Sequence, residues 1–321
     1  MRKIAVEEHF TTQTYQAYLE KVTASGGLSS LGKLPPHLNA TMLDLGESRL
    51  HEMDEAGIDM QVLSLTVPGL ERFPAEDAVA LARDINDELA AAVRRNPARF
   101  AGFAALPTLD PQAAAAELER AVQKLGLKGA MINGQPQGGF LDDSAYGDIF
   151  AQAESLGVPL YLHPSASAPD TLQAYVGRPE LIGPLWSFTV DIATQTLRLI
   201  FSGVFDRFPN LTIILGHMGE TLPYMLWRLD SRWKFSPLYR RLDREPSQYI
   251  RENMLVTTSG MFSDTALLCA VAALGVERIL FAVDYPFEPN KAGAVFMEQA
   301  PLSEADKHKI AALNAERWLR L

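Results

Sequence analysis

Eight short runs rich in Val, Ile, Leu and Phe recur along the chain, separated by longer segments with helical periodicity. The runs are Ile4 to Val6, Met60 to Leu65, Phe100 to Leu106, Gly129 to Asn133, Pro159 to Leu162, Leu211 to Leu215, Met254 to Thr258 and Ile279 to Val283. Helical spacing of apolar residues marks Ala80 to Arg95, Pro111 to Leu125, Ala145 to Leu156, Ile192 to Phe205, Thr221 to Leu229 and Asp264 to Leu274. A terminal helix, Glu304 to Leu319, is expected to pack on the outside. Asp110-Pro111 reads as a helix start, and Gly126, Gly157 and Gly275 stand where helices should stop. Strands that are apolar throughout are buried on both faces, as in a parallel sheet covered by helices. Eight such units predict an α/β fold, a (β/α)8 TIM barrel. A doubly wound open sheet competes, but no Gly-x-Gly-x-x-Gly follows the first strand to support it.

A chain of 321 residues accommodates one large barrel or two ordinary domains. The strand-helix count favours one domain over 1–321, with loop insertions at 11–39 and 165–191 that leave the C-terminal ends of strands. The composition, 47% hydrophobic and 21% charged, is that of a globular protein, and no run approaches the length of a membrane span. Met1-Arg-Lys-Ile-Ala-Val enters a strand directly, without the pattern of a signal peptide, so a cytoplasmic location is expected. A formal charge of -10 disfavours nucleic acid and anionic membrane as partners, because both need a basic footprint. A small anionic substrate remains compatible if a local arginine meets it. The single cysteine, Cys269, sits in an apolar helical pattern and reads as a small buried hydrophobe.

Three of the six histidines stand where strand-forming runs give out, in Ile4-Ala-Val-Glu-Glu-His-Phe10, Pro159-Leu-Tyr-Leu-His-Pro164 and Leu211-Thr-Ile-Ile-Leu-Gly-His-Met-Gly219. A fourth run, Ile279-Leu-Phe-Ala-Val-Asp-Tyr-Pro286, ends in an aspartate. In a barrel, Glu7, His9, His163, His217 and Asp284 all reach one mouth. Alternation along a strand puts Glu7 and His9 on one face and Glu8 on the other, which makes Glu8 the weaker candidate ligand. Imidazoles and carboxylates together suit a borderline divalent ion such as zinc or manganese. Taken singly, each strand-end histidine is as readily a hydrogen-bonded structural residue. His37, in a proline-flanked loop, and His51 and His308, in polar helices, are assigned to the surface.

The motifs Glu-Glu-His at 7–9, Leu-His-Pro at 162–164, Gly-His-Met-Gly-Glu at 216–220 and Asp-Tyr-Pro-Phe at 284–287 resemble the amidohydrolase superfamily. In this combination they most resemble its metal-dependent hydroxybenzoate decarboxylases. The resemblance implies that Glu7, His9, His163 and Asp284 are metal ligands and that His217 and Glu220 form an active-site pair. It further implies that Arg228 meets the substrate carboxylate and that Thr66 and Phe188, the latter in the long loop after the fifth strand, line the ring pocket. Homodimeric or homotetrameric assembly would also follow. Glu-x-His in the first strand, rather than the commoner His-x-His, favours the decarboxylase branch. The fourth strand, ending Met131-Ile-Asn-Gly, lacks a lysine that could bridge two metals, so one divalent ion is expected.

The implied activity is non-oxidative decarboxylation of an ortho-hydroxylated benzoate, with Asp284 as first candidate for the proton donor to the ring carbon and His217 bonding a substrate oxygen. Hydrolysis of an ester, lactone or amide on the same barrel is the alternative enzyme reading, and a non-catalytic binding barrel is a third. Arg228 also has a bland interpretation, as a surface ion pair with Asp230 or Glu220, and Phe188 as ordinary loop core.

Overall fold

The protein is described from a computed structural model over residues 1–24, 35–137, 139–165, 171–235 and 242–321. Its strands are β1 (Ile4–Phe10), β2 (Met60–Leu65), β3 (Phe100–Gly102), β4 (Ala104–Ala105), β5 (Ala130–Asn133), β6 (Leu160–His163), β7 (Ile213–Leu215), β8 (Met254–Thr257) and β9 (Ile279–Leu280). All pair in parallel and in chain order, as β1-β2-β3 and as β4 through β9. β3 and β4 are halves of one predicted run. The chain crosses between sheets at Phe103, where its N–H bonds Leu63 O and the Ala104 N–H bonds Gly129 O, both at 2.9 Å. On the other side, Val6 N–H donates to Phe281 O at 3.1 Å and His9 N–H to Tyr285 O at 2.7 Å. These bonds join the last strand to the first, so each strand has neighbours on both sides, as the (β/α)8 barrel requires.

The apolar runs divide their side chains between two cores. Ile4, Val62, Phe103, Tyr161, Ile214 and Leu280 meet in the barrel interior, while a larger cluster fills the layer between strands and helices. Burial on both faces is the physical reason the strands read as continuous apolar runs.

The C-terminal segment does not lie on the outside, as the sequence suggested. Ala312, Ala315 and Leu319 belong to the interior cluster, and Phe281 N–H bonds Ile310 O at 3.0 Å. Asn314 Nδ2 donates to both Val276 O and Ile279 O at 2.8 Å, at the start of β9. The segment therefore plugs the end of the barrel opposite the strand exits, and its small alanines let it approach the strand ends closely.

Several predicted boundaries move. The helix expected from Ala80 starts at Ala75, after Pro74, with Glu76 and Asp77 in its first turn, where acidic side chains complement the helix dipole. Helices Glu47–Ala56, Pro246–Asn253 and Asn290–Gln299 went unmarked because each is too short for strong periodicity. Insertion 11–39 contains helices Gln13–Ala24 and Pro36–Leu43, so His37 is helical, though exposed as expected; residues 25–34 lie outside the described range. Insertion 165–191 carries short 3-10 turns at Thr171–Tyr175 and Pro179–Leu181, with residues 166–170 outside the described range. Helix Ser187–Ser202 starts inside this insertion, so Phe188 stands in its first turn and not in a loop. Cys269 is half-buried. No helix among the described residues is long and apolar enough to cross a membrane.

Replacing Asn314 by Ala would leave the buried Ile279 carbonyl and the half-buried Val276 carbonyl at the barrel floor without their donor. A loss of about 1–3 kcal/mol is expected in chemical denaturation. Metal affinity should not change, since the mouth lies at the other end.

Candidate metal centre and active site

β1 contains an irregularity on which the site depends. Ala5 pairs with Gln61 and Glu8 with Leu63, so three residues of β1 advance against two of β2. This bulge shifts the inward phase of the strand by one residue. Ile4 and Val6 point into the barrel core before it; Glu7 and His9 point into the mouth after it. Glu8, as alternation predicts, faces away.

The barrel brings Glu7, His9, His163 and Asp284 together, with one ligand atom from each lying within 4.8 Å of the others. His9 Nε2 is 3.1 Å from Asp284 Oδ1, and His163 Nε2 is 3.4 Å from Glu7 Oε1. His217 sits beside the group, its Nε2 3.7 Å from both Glu7 Oε1 and Asp284 Oδ2. Glu7 Oε1 is buried without a hydrogen-bond partner among the described residues, a costly state for a carboxylate unless a cation meets it. Two carboxylates and two imidazoles converging on one point fit a single divalent ion. His37, His51 and His308 are all exposed and outside the group.

The charges of the cluster are unevenly held. Burial pushes the Glu7 carboxyl up to about 8, against the pull of the His217 cation. Burial also works against a charged His217, but Glu220 and Glu7 outweigh it and raise the imidazole well above its usual value. Asp284 is disfavoured as an anion by burial, yet hydrogen bonding from His217 and His9 holds it below the usual carboxylate range. His163 is pushed well below the histidine range by burial and by repulsion from His9, which suits a neutral ligand.

The turn after β7 is left-handed throughout. His217, Met218, Gly219, Glu220 and Thr221 have φ of 50°, 57°, 78°, 53° and 66°. Each non-glycine here costs about 1–2 kcal/mol relative to right-handed backbone. The turn brings Glu220 Oε1 to 2.6 Å from His217 Nδ1. Gly216, just before it, leaves little room for a side chain: a Cβ would lie 3.0 Å from Glu7 Oε2 and 3.2 Å from the Tyr161 hydroxyl, so either would have to give way.

A family model described as amidohydrolase matches residues 36–321. The chain belongs to the amidohydrolase family. The γ-resorcylate decarboxylase of Polaromonas sp. (strain JS666) is 41% identical over 329 residues, covering 99% of this amidohydrolase and 98% of the relative. A crystal structure of dihydroxybenzoic acid decarboxylase from Polaromonas sp. JS666, with bound manganese and the inhibitor 2-nitroresorcinol, is similar at a TM-score of 0.91 and 40% identity, over 100% of this chain and 97% of that one. The 5-carboxyvanillate decarboxylase of Novosphingobium aromaticivorans, complexed with manganese and 4-hydroxy-3-methoxy-5-nitrobenzoic acid, has a TM-score of 0.95 at 32% identity, over 100% and 96% of the two chains. The family match begins after β1, and these full-length relatives extend the likeness across Glu7 and His9.

The remaining predicted residues of the amidohydrolase are less tightly gathered. Thr66 is buried beside β1, its N–H on Phe10 O at 2.9 Å and its hydroxyl without a partner among the described residues. Phe188 is half-buried. Arg228 is exposed on helix Leu222–Phe235, and it forms no ion pair with Asp230 or Glu220: Asp230 accepts from Ser247 N–H and Glu220 holds His217.

Sequence reading missed the residues that aim the ligands. Asn133 Oδ1 is 2.9 Å from His163 Nδ1, while Asn133 Nδ2 donates to Leu65 O at 3.2 Å. That second bond fixes which way the amide faces, so His163 donates from Nδ1 and presents a bare Nε2. The Asn133 N–H rests on Glu71 Oε1 at 3.0 Å. The Tyr161 hydroxyl donates to Glu7 Oε2, which also accepts from Thr257 Oγ1 at 3.2 Å, leaving Oε1 to face the cluster. Asn133, a polar residue closing an otherwise apolar strand, is the one of these that leaves a signal in the sequence. Asn133→Ala should weaken divalent metal binding roughly 10- to 100-fold, measured by competition with a chromogenic chelator. An unchanged affinity would remove Asn133 from the site.

Proposed function

We propose that this amidohydrolase is a non-oxidative decarboxylase of an ortho-hydroxylated benzoate, a dihydroxybenzoate or a related aromatic acid. The observation that carries it is the convergence of Glu7, His9, His163 and Asp284 in a chain 41% identical to a γ-resorcylate decarboxylase over nearly its whole length. Those four residues would hold one divalent ion, and manganese is the first choice because related structures carry it. When bound, the ion supplies a Lewis-acid anchor for the phenolic and carboxylate oxygens of the substrate.

Direct cleavage of the aryl carbon-carboxylate bond would leave an aryl carbanion, so protonation of the ring carbon comes first. Asp284 delivers that proton. His217, whose Nε2 is 3.7 Å from Asp284 Oδ2, is placed to pass that proton to it. An arriving anionic substrate adds like charge beside Asp284, raises its proton affinity and draws the proton across. Once the ring carbon is protonated, its bond to the carboxylate breaks, carbon dioxide leaves, and the electron pair restores the aromatic ring. Water then returns the consumed proton to the pair. Glu220 keeps His217 oriented and able to reload. Arg228, unpaired among the described residues, would clamp the substrate carboxylate; the buried hydroxyl of Thr66 and the ring of Phe188 would face the aromatic ring.

We further propose that the chain works as one domain in the cytoplasm and assembles as a homodimer or homotetramer. Exposed Tyr224 and Trp227 on the helix that carries Arg228 support association of copies.

A panel of ortho-hydroxybenzoates incubated with the manganese-loaded protein should release carbon dioxide equimolar with phenol and without uptake of water. In deuterated water the vacated ring carbon should carry deuterium, and Asp284→Asn should slow exchange at that carbon. Water incorporated into product would identify a hydrolase instead, and activity surviving both chelation and His163→Ala would end the metal-centred mechanism. Arg228→Ala should weaken binding of the carboxylated substrate roughly 10- to 100-fold, the worth of a charge-assisted hydrogen bond, and leave affinity for the phenol product unchanged. Equal losses for both would place Arg228 away from the carboxylate.

A further inference from the structure

Glu8 has no place in the metal cluster, yet its carboxylate is fully buried on the opposite face of β1 from Glu7 and His9. Its two oxygens accept from two backbone N–H groups: Oε1 from Val283 at 2.9 Å and Oε2 from Tyr285 at 3.1 Å. The residue between them is Asp284. Its own N–H bonds Glu7 O at 3.0 Å, and its φ of 80° lies in the left-handed region, sparsely populated by residues other than glycine even though aspartate tolerates it better than most.

Three consecutive peptide N–H groups are thus fixed by two consecutive residues of β1. Glu8 grips the outer pair and Glu7 the middle one, so the Asp284 carboxylate is aimed by backbone held on both sides. Behind Glu8 lies a guanidinium that is also fully buried. Arg49 Nη2 donates to His9 O at 2.6 Å, Nη1 to Gln61 Oε1 at 3.2 Å and Nε to Asp44 O at 3.1 Å. Its Cζ stands 4.8 Å from the centre of the Tyr285 ring. The same assembly therefore touches the backbone of His9 and both neighbours of Asp284.

We propose that Glu8, backed by Arg49, is a positioning residue for the metal ligand Asp284, a bracket that holds its strained backbone so that its carboxylate converges with His9. This rests on Asp284 being a ligand, as in the proposed function. Glu8→Gln keeps one acceptor but turns an NH2 toward a backbone N–H, which opens one arm of the bracket with little change in volume.

The test is a titration of metal-free protein with Mn(II), followed by the magnetic resonance signal of the free aqua ion, on the parent, Glu8→Gln, Asp284→Ala and the double variant. Glu8→Gln should weaken binding roughly 10- to 100-fold. The double variant should bind no more weakly than Asp284→Ala alone, because Glu8 acts through Asp284. Parent-like affinity in Glu8→Gln would overturn the proposal, as would a loss that persists undiminished in the Asp284→Ala background, the mark of a general packing role. Should Glu8→Gln not fold, Glu8→Asp keeps the charge opposite Arg49 but falls one methylene short of spanning both N–H groups, and the same cycle is read on it. If Asp284→Ala binds Mn(II) as tightly as the parent, the ligand assignment fails and the bracket falls with it. An unchanged Glu8→Gln beside a weakened Asp284→Ala fails the bracket alone.

Discussion

Two carboxylates, Glu7 and Asp284, face three imidazoles in the mouth of a barrel whose walls are apolar, and the rest of the site is arranged around keeping those charges balanced. Neither carboxylate would survive burial alone. Every neighbouring device limits the number of ways the cluster can settle: Tyr161 and Thr257 hold one oxygen of Glu7, Asn133 fixes the tautomer of His163, and Glu220 fixes the orientation of His217. Glu7 Oε1, without a hydrogen-bond partner among the described residues, lies where a cation would resolve the imbalance.

Backbone geometry carries as much of this arrangement as side-chain chemistry. His217, Glu220 and Asp284 all have positive φ, and in each case the unusual backbone turns a polar side chain toward the cluster. Such conformations persist only where the surrounding fold determines them fully. The apolar barrel interior and the plugged floor below it supply that rigidity.

The barrel was legible in the sequence because burial on both faces leaves a strong signal, eight apolar runs set apart by helical periods. The cluster was legible for a related reason: Glu7, His9, His163, His217 and Asp284 interrupt those runs at their ends, where polar residues are otherwise unnecessary. Tyr161 and Thr257 were not legible, because a tyrosine or threonine inside a strand looks like ordinary β-forming residue. The start of the helix carrying Phe188 was missed because Trp186, Ser187 and Phe188 show no apolar period of their own. Arg228 was singled out by resemblance alone, and its exposed position reflects a helix face that the apolar pattern does not mark.

The bulge in β1 has a consequence for how this chain can change. Adjacent glutamates there serve opposite sides of one strand, Glu7 in the mouth and Glu8 in the wall, and only the extra residue between Ala5 and Glu8 sets that phase. Point substitutions at 7 or 8 disturb one job at a time. Inserting or deleting a single residue between Ala5 and Glu8 would exchange the two faces at once, so the spacing of this segment is as constrained as its two glutamates.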